Sequence, residues 1–262
     1  MSVFAVTGSA SGIGAATAEL LRSGGHRVVG VDLRDADVIA DLGTESGRIQ
    51  AIAGVLAACG HRLDGLVTAA GIGASSTEQG GRLVRINYFG TVALVDGLRP
   101  ALAAAETSAV VCVSSNSSTC QPDWPEALAL ACIDGDEERA VSLAEEQLSL
   151  LAYAPAKAAI AWWVRERAAE WAGDGIRMNA IAPGLIETPM TDAQRTDPLI
   201  GQFIDAFPVP RGTPGRPGEV AAVIDFLLSP AASLLYGSVI FADGGTDALT
   251  RTRDWPAVWR TR

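Results

Sequence analysis

The chain has 262 residues, of which 48% are apolar, and its formal net charge is −10 at pH 7. This length predicts one sizeable α/β domain, residues 1–262, with a large core. The acidic balance argues against nucleic acid or an anionic membrane as a partner, because both bind clustered Lys and Arg side chains. No uncharged apolar run reaches the roughly 18 residues of a membrane-spanning helix, so we expect no membrane contact.

The cysteines and histidines do not predict a metal site or a disulfide framework. The cysteines show no paired metal-ligand spacing, and reduced thiols in a cytoplasmic protein are the simplest account of them. The two histidines lie in Gly-flanked connections, which does not fit a zinc site or a histidine-based hydrolase. The residues concerned are Cys59, Cys112, Cys120, Cys132, His26 and His61.

The first residues predict a strand, a glycine turn and a helix. Residues 2–7 are a short apolar run, and an Ala/Leu-rich helical stretch extends to about Arg22. Such a turn lets the backbone approach a pyrophosphate, while the helix N-terminus offers free N–H groups and a positive dipole end. An ordinary glycine-rich loop is the alternative. The turn contains Gly8, Ser11, Gly12, Ile13 and Gly14.

A second predicted strand, residues 27–31, ends at Asp32. A carboxylate at this place can accept hydrogen bonds from both ribose hydroxyls of an adenosine and repels a 2′-phosphate, which favours NAD over NADP. A turn-capping aspartate is the alternative. Residues 36–42 predict a third strand, but the link of about four residues is too short for a helical crossover between parallel strands.

Further strands and helices alternate over residues 46–113, with helices at 46–58 and 83–104 and strands at 65–68 and 109–113. This alternation predicts a Rossmann-type, doubly wound parallel sheet with helices on both faces. Ligands bind at the carboxyl ends of such strands, where Ala70, Gly71 and Ser115 lie. The two small residues could accommodate an adenosine or serve tight packing. Asn87 is polar within an apolar helix and needs a hydrogen-bonding partner.

Residues 116–152 predict a helical insertion before a helix that carries Tyr153 and Lys157. Residues at i and i+4 share a helix face, so the ammonium group can lower the pKa of the phenol and make it a general acid and base. A half-exposed tyrosine beside a solvated lysine is the alternative. Pro155 requires that the helix begin close to Tyr153 or bend there.

The remaining chain predicts a strand at 176–181, a helix at 219–228 and a strand at 238–242. Between them, residues 187–216 combine apolar side chains with Pro and Gly. This composition is typical of a mobile substrate flap over a pocket, and equally of a loosely packed surface segment.

Together these residues resemble the short-chain dehydrogenase/reductase family over the whole chain. Within the family, residues 26–32, 38–42 and 87–90, the insertion and the short link between the second and third strands are similar to bacterial hydroxysteroid dehydrogenases and carbonyl reductases. Thr68-Ala69, Pro155 and Ala156 depart from the family pattern. The matching motifs are Thr7-Gly8-x-x-x-Gly12-Ile13-Gly14, Asp32, Ala70-Gly71, Asn87, Ser115, Tyr153-x-x-x-Lys157, Asn179, and Pro183-Gly184 with Thr188.

The resemblance implies roles for the site residues. Tyr153 would exchange the hydroxyl or carbonyl proton, and Lys157 would lower its pKa and hold the nicotinamide ribose. Ser115 would hydrogen-bond the substrate oxygen, and Asn87 would position a water between Lys157 and solvent. Asp41 and Leu42 would flank the adenine, and Ile186 and Thr188 would contact the carboxamide. The other implied cofactor contacts outside the glycine turn are Asp32, Leu33, Ala69, Ala70, Gly71, Pro183 and Gly184.

The resemblance also implies an activity: an NAD(H)-dependent oxidoreductase that interconverts a secondary alcohol and a ketone on a bulky, apolar, steroid-like substrate. A reductase for a non-steroid carbonyl substrate and a non-catalytic NAD-binding sensor are the alternatives. Many relatives form dimers through the tyrosine helix, and the resemblance implies a homodimer or homotetramer here. The insertion should lie beside that surface, where it could redirect assembly.

Overall fold

The computed structural model describes residues 1–77, 79–146 and 148–254. Its described residues form a seven-stranded parallel sheet with the strand order β3-β2-β1-β4-β5-β6-β7, which confirms the predicted doubly wound fold. The end of the predicted domain, residues 255–262, lies outside the described residues. The strands are β1 (Val3–Thr7), β2 (Arg27–Asp32), β3 (Val38–Ile39), β4 (Gly65–Thr68), β5 (Ser108–Val113), β6 (Ile176–Pro183) and β7 (Val239–Ala242).

Helices precede or follow each of these strands, and two short segments have other helical geometry. Arg85–Gly90 is a π-helix, and Pro230–Ala232 is a 3₁₀ turn. The α-helices are α1 (Gly12–Ser23), α2 (Glu45–Cys59), α3 (Gly80–Val84), α4 (Thr91–Ala103), α5 (Ser117–Cys120), α6 (Glu126–Ile133), α7 (Glu137–Glu145), α8 (Ser149–Ala172), α9 (Pro189–Thr196), α10 (Gly201–Asp205), α11 (Pro217–Leu228) and α12 (Thr246–Thr250).

The sheet is buried on both faces at its centre. Every residue of β4, β5 and β6 is buried, as expected of parallel strands that read as near-continuous apolar runs. Helices α1 and α11 pack together on one face, whereas α2, α4 and α8 cover the other. The carboxyl ends of the strands therefore meet at one open edge of the sheet.

The link between β2 and β3 is closed by side-chain and backbone contacts without a helix. The predicted third strand, residues 36–42, is wrong in extent, because only Val38 and Ile39 pair with β2. Asp35 adopts a left-handed φ of 51°, and the Asp37 carboxylate accepts a hydrogen bond from Gly30 N at 2.7 Å. One carboxylate thus replaces the missing crossover by holding the short loop against β2.

The predicted helix at residues 83–104 is three helical segments in sequence. It begins at Gly80, widens into the π-helix at Arg85–Gly90 and returns to α-geometry in α4. Short π segments are frequent at functional sites, and this one contains Asn87. A Cβ at Gly90 would lie 2.9 Å from Leu42 Cβ, so the π-helix packs directly against the segment that follows β3.

The insertion folds as α5, α6 and α7 and encloses the tyrosine helix. Helices α6 and α7 pack against each other and against α8, and α7 also packs against α3. Helix α8 begins at Ser149, before the predicted start, so Pro155 lies in its interior and cannot supply an N–H to Leu151 O. Because α8 is covered by the sheet and by the insertion, most of its residues are buried.

The four cysteines are free thiols, and Cys120 is half-buried whereas the other three are buried. Across the described ranges, we find no helix that combines the length and apolar character needed to cross a bilayer.

Candidate active site

Lys157 is fixed to the carboxyl end of β5 by two hydrogen bonds. Its Nζ donates to Val113 O at 2.9 Å, and its backbone carbonyl accepts from Ser114 Oγ at 2.7 Å. Lys157 is 5% exposed and is the only lysine in the chain. Its Nζ lies 5.9 Å from the centroid of the Tyr153 ring. The two residues therefore share one helix face, as their spacing predicts.

The side chain of Ser115 is held by hydrogen bonds from Ser117 and interacts with Tyr153. Ser115 Oγ accepts hydrogen bonds from Ser117 N at 3.2 Å and from Ser117 Oγ at 3.0 Å. A side-chain hydrogen bond also joins Ser115 to Tyr153. The ends of β5 and α8 thus bring a serine hydroxyl and a phenol to one point of the cleft.

Burial is the largest influence on the pKa values of Tyr153 and Lys157, which both lie on α8. It raises the pKa of Tyr153, and the hydrogen bond with Ser115 opposes this effect. Burial lowers the pKa of Lys157 to about 8, with a smaller opposing contribution from Cys112. We expected Lys157 to lower the pKa of Tyr153; instead its Nζ is directed at Val113 O, and burial is the largest effect on the phenol. The phenol is therefore protonated at neutral pH and can donate a proton.

The Asn87 side chain is buried and makes two hydrogen bonds with the backbone of Ile72. The residue is 0% exposed, its Oδ1 accepts from Ile72 N at 2.9 Å and its Nδ2 donates to Ile72 O at 2.9 Å. The amide group fixes the loop after β4, including Gly71, where a Cβ would approach Asn87 Oδ1 to 3.0 Å. The expected role of Asn87 in positioning a water stays a prediction.

A cleft of about 730 Å³ runs along the carboxyl edge of the sheet and contains nearly all of the predicted site residues. Gly14 is the exception among the cofactor contacts: it lies under the turn, where a Cβ would be 2.1 Å from Gly8 O. The predicted residues that line the cleft are Gly8, Ser11, Gly12, Ile13, Asp32, Leu33, Asp41, Leu42, Ala69, Ala70, Gly71, Ser115, Tyr153, Lys157, Pro183, Gly184, Ile186 and Thr188.

The glycine turn has the features that a dinucleotide requires. Ser11 precedes α1 in an extended conformation, its side chain does not cap the helix, and the first turn of α1 contains no acidic residue. The N-terminal N–H groups of α1 therefore remain available to an anion. The Asp32 carboxylate is held by Ala10 N at 3.0 Å and by Leu33 N at 2.7 Å, with lone pairs left for ribose hydroxyls. These residues fit the pyrophosphate and the adenosine ribose of a dinucleotide.

The far end of the cleft is formed by residues of the predicted flap, 187–216, and by residues of the insertion that the sequence did not assign to the site. Gln121 Nε2 donates to Leu150 O at 3.2 Å and so ties together the two ends of the insertion. The sequence did contain a signal for the insertion residues, because the two ends of the insertion adjoin Ser115 and Tyr153. The additional lining residues from the insertion and the segment 187–216 include Gln121, Pro122, Leu150, Leu151, Met190, Gln194, Ile200, Phe203, Ile204 and Phe207.

The segment 187–216 contains α9 and α10 and is anchored through Asp197. The Asp197 carboxylate accepts hydrogen bonds from Ser76 N at 2.7 Å, Ser76 Oγ at 2.9 Å and Leu199 N at 2.9 Å. These bonds, that from Ser76 N first, lower the pKa of Asp197 to about 2. The segment thus joins the loop after β4 across the cleft, while its mobility stays a prediction.

Comparisons with known proteins agree with this geometry. A family described as short chain dehydrogenase matches residues 2–125, and one described as enoyl-(acyl carrier protein) reductase matches residues 140–247. The chain is 47% identical to the 3-alpha-hydroxysteroid dehydrogenase/carbonyl reductase of Comamonas testosteroni, over 96% of this chain and 98% of that protein.

Two further relatives define the range of similarity. The crystal structure of the 3-alpha-hydroxysteroid dehydrogenase from Pseudomonas sp. B-0831 complexed with NADH superposes with a TM-score of 0.94 at 48% identity, over 97% of this chain and 100% of that one. The coniferyl-alcohol dehydrogenase of Pseudomonas sp. strain HR199 is 32% identical over 92% of this chain and 94% of that protein.

The low pKa of Lys157 can be measured directly because there is no other lysine. We expect the single ¹³Cε signal of lysine-labelled protein to titrate with a midpoint near pH 8, because burial disfavours the ammonium form. The same protein unfolded in urea should titrate near pH 10.4. A folded-state midpoint above pH 10 would contradict the burial of Lys157 described above.

Proposed function

This chain belongs to the short-chain dehydrogenase/reductase family, and on that premise we propose that it interconverts a secondary alcohol and a ketone on a bulky apolar substrate with NAD(H). The observation that carries the proposal is the meeting of Tyr153 and Ser115 at one point of the cleft, above a buried Lys157. The arrangement offers a proton donor and a second hydrogen-bonding group to one substrate oxygen.

A nicotinamide dinucleotide, when bound, supplies the hydride donor or acceptor. The open N-terminus of α1 and the glycine turn suit its pyrophosphate, and Asp32 suits the adenosine ribose. A negative charge at Asp32 disfavours a 2′-phosphate, which supports NAD over NADP. Asp41 and Leu42 line the cleft where an adenine would lie, and Ile186 and Thr188, which the resemblance assigns to the carboxamide, line the same cleft.

The residues of this chain move and hold the proton. In ketone reduction, Tyr153 donates its proton to the carbonyl oxygen, and Ser115 hydrogen-bonds the same oxygen while charge develops there. In alcohol oxidation, Tyr153 must first lose its proton, so this direction should gain rate as the pH rises. Lys157, held to Val113 O, carries a positive charge beside the site at pH values below its pKa of about 8.

The walls of the cleft favour an apolar substrate of considerable size. Residues of the insertion form one side, and Ile200, Phe203 and Phe207 form the other. Phe203 lines the cleft and is 54% exposed, so it offers apolar surface to a ligand. The two relatives at 47% and 48% identity are named as 3-alpha-hydroxysteroid dehydrogenases, which supports a steroid-like substrate.

We further propose that the protein is a homodimer that assembles through α11, β7 and the turn between them. The surface of α8, used by many relatives, is enclosed here by α5 and α6, and Trp162 packs on Trp124 at a centroid distance of 5.9 Å. At the β7 edge, by contrast, Leu234 is 93% exposed and Phe226 and Tyr236 are each 44% exposed. Such a patch is typical of an interface.

Removal of the Tyr153 hydroxyl tests the proposed chemistry. We expect Tyr153→Phe to lower kcat/KM for oxidation of a 3α-hydroxysteroid with NAD by about 10³-fold, because no other group there can exchange the proton. NADH binding should change little. Tyr236→Phe is the matched control and should behave as the wild-type protein does.

The measurement is the absorbance of reduced cofactor, recorded with a hydroxysteroid, an aromatic allylic alcohol and a sugar alcohol. The steroid should give the largest kcat/KM. Retention of more than a tenth of the activity by Tyr153→Phe would contradict the role of Tyr153, and NADH binding without turnover of any substrate would favour a sensor.

A charge placed in the exposed apolar patch tests the proposed dimer. We expect Leu234→Asp to shift the molar mass in light scattering from dimer to monomer, because it puts a carboxylate into an apolar interface. Leu130→Asp, on the outer surface of the insertion, is the control. Dissociation by Leu130→Asp alone would instead place the interface on the insertion.

A further inference from the structure

A buried arginine connects the insertion to the adenosine end of the cleft. Arg48 Nη1 and Nη2 donate to the two carboxylate oxygens of Glu137 at 2.7 and 2.9 Å. Its Nε donates to Leu42 O at 2.9 Å, and its Nη2 also donates to Arg85 O at 3.1 Å. The Arg48 side chain is only 9% exposed. One guanidinium therefore holds three segments that are distant in sequence.

Two of these segments belong to the site. Leu42 lines the cleft next to Asp41, and the short turn behind them is closed by a hydrogen bond from Gly43 N to Asp41 Oδ1 at 2.9 Å. Arg85 begins the π-helix that carries Asn87. Because a Cβ at Gly90 would lie 2.9 Å from Leu42 Cβ, the far end of the π-helix also contacts this turn. The position of Leu42 thus depends on how Arg48 is oriented.

Glu137 determines that orientation. A carboxylate paired with both terminal nitrogens fixes the plane of a guanidinium as well as its position. Glu137 Oε1 also lies 3.6 Å from Arg85 Nε, so its single negative charge faces two positive charges. Without that charge, Arg48 and Arg85 would repel each other, and a largely buried guanidinium would lose its only carboxylate partner among the described residues.

We propose that Glu137 is a positioning residue for cofactor binding: through Arg48, helix α7 of the insertion holds Leu42 and Asp41 in place at the adenosine end of the cleft. This inference rests on the proposed NAD(H)-dependent function. Glu137 lines no part of the cleft and does not touch the reacting atoms. It gives the insertion a second role besides shaping the substrate end.

The test compares Glu137→Gln with Glu138→Gln, an exposed neighbour on α7 that loses the same charge. We expect Glu137→Gln to raise the Kd for NADH and the KM for NAD about tenfold. The kcat and the KM for the alcohol, which depend on the other end of the cleft, should stay within about twofold. Glu138→Gln should match the wild-type protein. Arg48→Lys, which keeps the charge but loses the paired geometry, should weaken NADH binding in the same direction.

Fluorescence titration gives the Kd, and steady-state kinetics separate the two KM values from kcat. Unchanged NADH binding in Glu137→Gln would overturn the inference, as would a fall in thermal stability and kcat without a change in Kd, since that would be a structural role alone. A wild-type protein that binds no NADH would overturn the proposed function itself, and the inference with it.

Discussion

The site depends on the attachment of the tyrosine helix to the end of a central strand. Ser114 Oγ holds the backbone of Lys157 at 2.7 Å, and Lys157 Nζ holds Val113 O at 2.9 Å. These contacts set both the height and the rotation of α8 relative to β5. Ser115 follows closely after the end of β5, so the same contacts bring its hydroxyl and the phenol of Tyr153 together. The burial that makes this attachment rigid also moves the pKa of Tyr153 upward and that of Lys157 downward.

The insertion influences both ends of the cleft. Its chain ends, tied together through Gln121 and Leu150, wall the region where a substrate would lie. Its helix α7 contacts α3 and, through Glu137, reaches the turn beside the adenosine end. Its helices also enclose α8. A single addition to the fold therefore contacts both ends of the cleft and covers the tyrosine helix.

The sequence predicted the fold and most of the cleft because both follow from local patterns. Buried parallel strands read as apolar runs, and the glycine turn and the Tyr153–Lys157 spacing mark positions at strand and helix ends. Almost every predicted cofactor residue lines the cleft for this reason. The predicted extent of β3 was wrong. Asp37 closes the loop before β3 by accepting a hydrogen bond from Gly30 N, and the hydrophobic periodicity of the sequence does not reveal this contact.

Other features depend on contacts between segments distant in the chain. The π-helical geometry around Asn87 and the hydrogen bonds between its amide group and Ile72 are set by packing, so no local sequence pattern reveals them. The pKa of Tyr153 was expected to be governed by a neighbouring charge, but burial, a property of the whole fold, has the larger effect. The Glu137–Arg48 pair joins residues 89 positions apart.

The proposed chemistry requires Tyr153 and Ser115 to bind one substrate oxygen together. A crystal structure of the protein with NAD⁺ and the ketone product, which cannot react with each other, measures this directly. We expect Tyr153 Oη and Ser115 Oγ each to lie within about 3 Å of the ketone oxygen. A ketone bound in the cleft with its oxygen in contact with neither hydroxyl would contradict it.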